Sequence, residues 1–235
     1  MLGAAAPARA DESIGGAKAV VNLVTGDLAA GNKVSLVQGD NVFSNEGVHT
    51  DADSSARLIL LDNTNLLLGA SSSIKLDSFV YAGPKQPGAI AVSFVTGALR
   101  FATGDADKKA YVISTPTASL GVRGTVLKII SDQSTTFVLL DEGGALVCTR
   151  KGGAKKKCLT LTDPGQVVEV TEYDVRWAPE AEASITATID AIASPSDGPP
   201  DGPPAGPPAG GGPPAGSPPA SPPSHPSGNR GHGGS

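Results

Sequence analysis

Aromatic residues are scarce in this chain: they make up 4% of its 235 residues, with a single tryptophan. Proteins that hold sugars or single-stranded nucleic acid by stacking need aromatic platforms, so this shortage argues against both classes. The net charge of −5 likewise argues against general attraction to nucleic acid or to anionic lipid. We therefore do not expect nucleic acid as a partner.

Long apolar runs are also missing. No stretch reaches the roughly 20 apolar residues that cross a bilayer as a helix, so we predict no transmembrane segment. Near the N-terminus, Ala8-Arg9-Ala10 followed by Asp11-Glu12 looks like the small-x-small cleavage site of a secretory signal. We interpret residues 1–12 as residual leader and expect a periplasmic or secreted bacterial protein; a disordered alanine-rich leader is the alternative.

Histidine and cysteine are too few for common catalytic or metal sites. His49 is the sole histidine before the tail, and the two cysteines have no histidine near them in sequence, which argues against a zinc site. We find no Gly-x-Ser-x-Gly motif and no phosphate-binding glycine loop before a helix. Acidic residues such as Asp62 mostly occupy turns. We predict no catalytic residues, metal ligands or cofactor, and expect a protein that is not an enzyme.

The two cysteines instead predict a disulfide. Cys148 and Cys158 lie at facing ends of two short apolar runs joined by a glycine-containing loop, which indicates a β-hairpin. Cysteines on paired strands can meet disulfide geometry. Closing a loop of this length stabilises the fold by about 3 kcal/mol in the chain-entropy model. The bond is expected if the protein is exported and not if it is cytosolic.

Short strands dominate the sequence from Gly16 to Val170. Ile90, Val92 and Phe94 alternate with small residues, a period of two, whereas the run from Leu58 to Leu61 is typical of a strand buried on both faces. Strands of three to six residues, with turns about every ten, indicate an all-β domain.

A loose internal repeat bears on the architecture. Gly47, Gly97 and Gly144 each follow a polar turn and open a strand, and they lie about fifty residues apart. This rhythm favours a β-solenoid-like roll of short strands over the alternative, a β-sandwich.

The C-terminal part changes character twice. Residues 172–193 form a helical extension in our interpretation, because Pro179 suits a first helical turn and Ile185, Ile189 and Ile192 share one helix face. We expect this face to cover an open end or edge of the β domain. Residues 194–235 hold 14 of the 20 prolines and predict a disordered Pro/Gly-rich tail, a spacer or a ligand for an aromatic groove.

Several motifs, in order along the chain, resemble the FecR-type domain, a bacterial envelope module. They span residues 14–171 and include Gly26-Asp27, Gly47-Val48-His49-Thr50, Ala56-Arg57-Leu58-Ile59-Leu60-Leu61-Asp62-Asn63-Thr64, Gly97-Ala98-Leu99-Arg100-Phe101, Ile113-Ser114-Thr115-Pro116-Thr117-Ala118-Ser119-Leu120-Gly121-Val122-Arg123-Gly124-Thr125 and Pro164-Gly165-Gln166. The resemblance implies an all-β, solenoid-like periplasmic fold that binds another envelope protein.

In transmembrane regulators of that family, the module meets the signalling domain of an outer-membrane transporter, and a cytoplasmic helical segment controls a sigma factor. We find no counterpart of that segment or of a membrane helix in this sequence. Only the binding-module role is therefore carried over from the resemblance.

Two sets of basic residues are candidate contacts for a partner or an anion. Arg123 lies between Gly121 and Gly124, where we expect the chain to turn or bulge twice. Its guanidinium either meets a partner carboxylate or, as we favour, bonds nearby carbonyls and fixes the corner. The predicted hairpin tip contributes five more basic residues: Arg150, Lys151, Lys155, Lys156 and Lys157.

The basic tip has two interpretations. It docks weakly on an anionic envelope surface, or, as we favour, it is a solvated tip that keeps the hairpin soluble. The function expected is that of a non-catalytic bacterial envelope protein whose FecR-like domain binds another protein, with a link to cell-surface signalling. The alternative is a structural or ligand-binding envelope protein that contacts cell wall or lipopolysaccharide through the basic hairpin.

Overall fold

The computed structural model describes residues 13–28, 31–86 and 88–193. The predicted leader, 1–12, and the predicted tail, 194–235, lie outside the described residues. Within the described ranges the chain forms seventeen β-strands and one α-helix. Their bounds are β1 Ser13–Val21, β2 Val24–Asp27, β3 Lys33–Ser35, β4 Asn41–Phe43, β5 Gly47–Thr50, β6 Ser55–Leu60, β7 Asn65–Leu68, β8 Ser73–Val80, β9 Ala89–Ala102, β10 Tyr111–Ser114, β11 Ala118–Val122, β12 Val126–Ser131, β13 Thr135–Glu142, β14 Ala145–Thr149, β15 Cys158–Leu161, β16 Val167–Thr171, β17 Val175–Trp177 and α1 Glu182–Ala193.

Hydrogen bonds link all these strands into one continuous sheet, which folds into two layers. Layer A has the order β4-β1-β6-β7-β9-β12-β13-β16-β17. Layer B has the order β3-β2-β5-β8-β9-β10-β11-β14-β15. Neighbouring strands are antiparallel except β9 and β10, which are parallel.

Strand β9 belongs to both layers and joins them. Its first half pairs with β10 in layer B, and its second half pairs with β12 in layer A. Between the halves lies Gly97, whose φ of +105° favours glycine, and a Cβ there would come within 2.2 Å of the Ser72 hydroxyl. Only glycine fits at the point where the strand passes from one layer to the other.

The hairpins of the second half alternate between the layers. Strands β10 and β11 pair in layer B, β12 and β13 in layer A, β14 and β15 in layer B, and β16 and β17 in layer A. This winding confirms the all-β, solenoid-like roll. The layers do not close on themselves, and β4, β17, β3 and β15 are their edge strands.

The core lies between the two layers and receives alternate side chains from most of the strands. Strand β6 shows the pattern: Leu58 and Leu60 are buried, Ile59 is half-buried, and Leu61, in the following turn, is 60% exposed. Our prediction that the run from Leu58 to Leu61 is buried on both faces is therefore wrong. In this part of layer A only the inner face is covered.

Helix α1 follows a short 3₁₀ turn at Pro179–Ala181. Its Ile185 and Ile189 are buried and form a second cluster with Leu139 and Val167 on the outer face of layer A. The helix contacts β7, β9, β12 and β13, which are central strands of that layer. The expectation that it covers an open end or edge is wrong, because its apolar stripe meets a sheet face instead.

A glycine and a buried lysine of layer A accommodate the helix on this face. Ile192 packs above Gly69, where an added Cβ would come within 2.5 Å of the Ile192 side chain. The ammonium of Lys128, almost fully buried beneath the helix, lies 3.3 Å from Asp190 and 3.5 Å from Asp141. Shape and charge therefore both dock α1 on layer A.

Candidate functional site

The threonines of the FecR-like motif form a buried hydroxyl cluster. The Thr136 hydroxyl on β13 lies 2.8 Å from those of Thr115 and Thr117 and 2.9 Å from that of Ser131. All four side chains are buried. The cluster ties the β10–β11 hairpin of layer B to the β12–β13 hairpin of layer A, so this part of the motif stabilises the fold.

The corner after β11 is held by Thr125. Its hydroxyl accepts the backbone N–H of Arg123 at 3.0 Å and donates to the Gly144 carbonyl at 2.8 Å. The Arg123 guanidinium is exposed and forms no hydrogen bond or ion pair with any described residue. Our favoured interpretation, that this guanidinium fixes the corner, is therefore wrong: backbone groups and Thr125 do so.

The two glycines beside Arg123 differ in role. Gly124 has a φ of +62° and makes the turn. Gly121 lies inside strand β11 and pairs with Val112 and Leu146 on either side, so the predicted second bend is wrong. A Cβ on Gly121 would meet no atom within 4 Å, because the space above it is open.

A buried carboxylate links the two layers at another point. Asp62, which is 0% exposed, accepts hydrogen bonds from the Thr64 N–H at 3.0 Å, the Thr64 hydroxyl at 2.7 Å and the Tyr111 hydroxyl at 2.7 Å. Burial, and next the bond to Asp62, raise the pKa of Tyr111 well above its ordinary value. Since these groups satisfy one another away from solvent, the cluster is structural.

Gly26, in the first part of the FecR-like motif, lies beside the buried acid Glu46. Glu46 accepts the Phe43 N–H at 2.8 Å, and a Cβ on Gly26 would come within 2.2 Å of its other oxygen. Burial raises the pKa of Glu46, the Phe43 bond lowers it, and the charge of Asp40 raises it further; the net direction is upward. Gly26 thus makes room for Glu46.

His49 lies beside the acid Asp27. Its Nε2 is 3.2 Å from Asp27. No group of three or more His, Cys, Asp or Glu side chains within the described ranges is placed to hold a metal ion. No helix in the same ranges is long and apolar enough to span a membrane.

The predicted disulfide is present. Cys148 on β14 and Cys158 on β15 are directly paired across the hairpin and joined by an S–S bond. Two strands of layer B are thus covalently linked close to the basic tip.

The basic hairpin is largely paired within the chain. Arg150 donates to the Thr115 carbonyl at 2.8 Å, Lys151 pairs with Glu172, and Lys157 lies 2.8 Å from Asp174. Lys155 and Lys156 are exposed and have no such bond to a described residue. The structure therefore does not bring the five basic side chains together as one free cationic patch.

The outer faces of the two layers differ. Helix α1 covers layer A, whereas no helix of the described chain lies on layer B. Val112 and Leu146 are 43% and 47% exposed there. Two rows of small or uncharged residues cross the middle of this face in register, namely Ala91, Val112, Gly121, Leu146 and Thr160, and Ser93, Ser114, Ser119, Cys148 and Cys158.

A shallow groove of about 560 Å³ runs across this face. Gly121 and Gly144 line it, and Val112 and Leu146 flank Gly121 as apolar walls. None of its lining residues is acidic, and Arg123 lies at its rim with Lys109. We call this feature the layer B groove. The sequence singles out Arg123 and Gly121 but not the walls Val112 and Leu146, because the walls come from separate strands.

Solved structures similar to this chain include two crystal structures of a protein from Parabacteroides distasonis ATCC 8503, described as a "putative anti-sigma factor". They are 15% and 14% identical to this chain, with TM-scores of 0.46 and 0.45. Each alignment covers 56% of this chain and 58% of the other, less than two thirds of its length. A likeness at this level carries no functional inference.

The search of curated proteins finds no match. A family model, described as FecR protein, matches residues 46–146. The match runs from the start of β5 into β14 and includes the hydroxyl cluster residues Thr115 and Thr117, the corner at Thr125, and the groove residues Val112, Gly121 and Leu146. Residues 46–146 are therefore similar to the FecR family, as the sequence motifs suggest.

Proposed function

We propose that the protein is a non-catalytic component of the bacterial envelope that binds another protein through the outer face of layer B. The observation that carries this proposal is the contrast between the layers. Helix α1 covers the outer face of layer A, while layer B leaves Val112 and Leu146 almost half exposed. An exposed apolar area with a polar surround is typical of a protein interaction site.

The surface is rigid, which suits recognition. Its strands rest on the common core, and the Cys148–Cys158 bond links β14 to β15. A preorganised surface loses little conformational freedom on binding.

The disulfide and the FecR family match support a periplasmic setting, since such bonds persist in oxidising compartments. The family match also supports a role in cell-surface signalling, with the FecR domain as the part that meets the partner.

The alternative, contact with cell wall or lipopolysaccharide through the basic hairpin, is less well supported. Lys151 and Lys157 each pair with an acid of the same chain, which reduces the charge available to an anionic polymer. Only Lys155 and Lys156 remain for such a contact among the described basic residues of the tip.

Site-specific photo-crosslinking in the periplasm tests the proposal. A crosslinking amino acid is placed at Val112 in one variant and at Leu146 in another. Both variants should trap the same protein, because both positions lie on the outer face of layer B. The matched control is Leu61, which is also exposed but lies in a turn of layer A. Trapping of the same protein with equal yield from Leu61, or no protein adduct from either layer B position, would contradict the proposal.

A further inference from the structure

We propose that the layer B groove binds an extended segment of the protein partner in which an apolar side chain lies close to a carboxylate. The apolar side chain sits above Gly121, between Val112 and Leu146, and the carboxylate pairs with Arg123 and Lys109. This inference rests on the proposed function and adds to it the chemistry of the partner.

The shape of the groove supports an apolar side chain at its centre. Gly121 pairs with Val112 on one side and with Leu146 on the other, so two apolar walls flank a position without a side chain. No atom lies within 4 Å of the place where a Cβ on Gly121 would stand. A side chain from another protein can therefore pack between these walls and remove both from water.

Charge at the rim supports a neighbouring carboxylate. Arg123 and Lys109 are exposed, and neither side chain has a hydrogen bond or ion pair with a described residue. The Lys108 side chain approaches the same corner, with its Cε 3.4 Å from the place where a Cβ on Gly124 would stand. With no acid lining the groove, the rim is cationic on a chain of net charge −5, and a guanidinium binds carboxylates well.

Two other occupants fit less well. A second copy of this chain, related by a two-fold axis through the groove, would place Arg123 and Lys109 against themselves, and like charges in contact repel. An anionic lipid surface would attract these few cations but repel the net negative chain. A segment that supplies its own carboxylate avoids both costs.

The substitution Gly121→Val should block the centre of the groove. A Cβ at this position would meet no atom within 4 Å, so the valine side chain would fill the open space between the walls, and valine suits a strand better than glycine does. The variant should fold at least as stably as the wild type. Ser119→Val is the matched control, because Ser119 lies on the same strand and the same face but does not line the groove.

The experiment uses a displayed library of random decapeptides, selected on the full chain. We expect the enriched peptides to carry an aliphatic or aromatic residue within two positions of Asp or Glu. Changing that acid to its amide should weaken binding about three- to tenfold at low salt, and less at high salt. Gly121→Val should weaken binding at least about tenfold, while Ser119→Val should leave it within about twofold.

Arg123→Glu tests the rim, with Lys155→Glu as a control of equal charge change on the hairpin tip. The first should weaken the peptide at least about tenfold, and the second should not. The inference is overturned if no peptide is enriched, if the enriched peptides lack acids, or if they bind Gly121→Val as well as the wild type. The inference is also overturned if the chain associates with itself, or binds anionic vesicles, and Gly121→Val abolishes that association. The groove would then be occupied by a second copy of the chain or by a lipid surface.

The outcomes separate this inference from the proposed function. A protein partner that crosslinks to Val112 and Leu146 but still binds Gly121→Val and Arg123→Glu would preserve the proposed function and refute the groove chemistry. Absence of any protein adduct from layer B would refute the proposed function itself.

Discussion

The Tyr111 hydroxyl lies 2.7 Å from the Asp62 carboxylate, to which it donates a hydrogen bond across 49 residues of sequence. Tyr111 begins β10 in layer B, and Asp62 lies in the turn between β6 and β7 of layer A. The same phenol oxygen accepts the Ala106 N–H at 3.1 Å. One buried side chain of layer B therefore bonds to a carboxylate of layer A and to the loop that precedes β10.

Tyr111→Phe should lower the free energy of unfolding by about 1–3 kcal/mol, because it leaves buried polar groups with one partner fewer. Urea unfolding of the purified protein measures this change. Tyr173→Phe is the control, since Tyr173 is 63% exposed, and its midpoint should not move. Equal midpoints for the two variants would show that the Asp62 bond contributes nothing to stability.

Glu46→Gln should change how stability depends on pH. The pKa of buried Glu46 is raised above its ordinary value of 4.5, so the folded state binds this proton more tightly than the unfolded state does. Protonated Glu46 therefore contributes stability that is lost as the pH rises from 4.5 through its folded pKa.

The variant, which cannot ionise there, should match the wild type near the acid end of that window and exceed it at about pH 8. Urea midpoints across the range measure the difference. Glu142→Gln, at an exposed acid, is the control for removing one negative charge from the chain. A pH-independent difference for Glu46→Gln would contradict the raised pKa.

Loss of the Cys148–Cys158 bond should lower stability by about 3 kcal/mol, from the entropy of a loop with a sequence separation of 10. Guanidinium unfolding with and without reductant measures this loss. A variant with both cysteines changed to serine should be as stable as the reduced wild type, and reductant should not change its stability. Two free thiols in unfolded, non-reduced protein would mean that the bond does not form.

Ile189→Ala should destabilise the fold by about 2–5 kcal/mol, because this fully buried side chain fills the contact between α1 and layer A. Thermal or urea unfolding measures the loss of stability, with Ala191→Ser, at an exposed position of the same helix, as the control.

Truncation before Pro179 should expose Leu139 and Val167 and promote self-association, which sedimentation measures. A monomeric truncated protein would show that α1 is not needed as a cover.

Much of the fold follows from local pattern. Alternation in β9, the turn residues, the C-terminal isoleucine stripe and the two cysteines indicate strands, helix and disulfide correctly, since each depends on neighbours close in sequence. The errors concern positions whose meaning depends on distant strands. The residues next to Leu61 in sequence suggest that it belongs to the core, and those next to Gly121 suggest a bend. Both interpretations fail because a single chain segment does not reveal which other strands lie beside it or cover its second face.

The candidate site shows the same division. Arg123 stands out in sequence between two glycines, but its lack of a partner depends on where Thr125 and Gly144 lie. The walls Val112 and Leu146 are 34 positions apart and become neighbours of Gly121 only through the pairing of β10, β11 and β14.

Sequence alone determined that this chain builds short strands, turns at several of its glycines, forms one terminal helix and links its two cysteines, because backbone preference and side-chain period act over a few residues. Tertiary structure decided that the helix covers layer A, that layer B stays open, and that a glycine lies between two exposed apolar walls. The physical reason is register: alternation fixes which residues of one strand share a face, but hydrogen bonding between distant strands decides which faces meet.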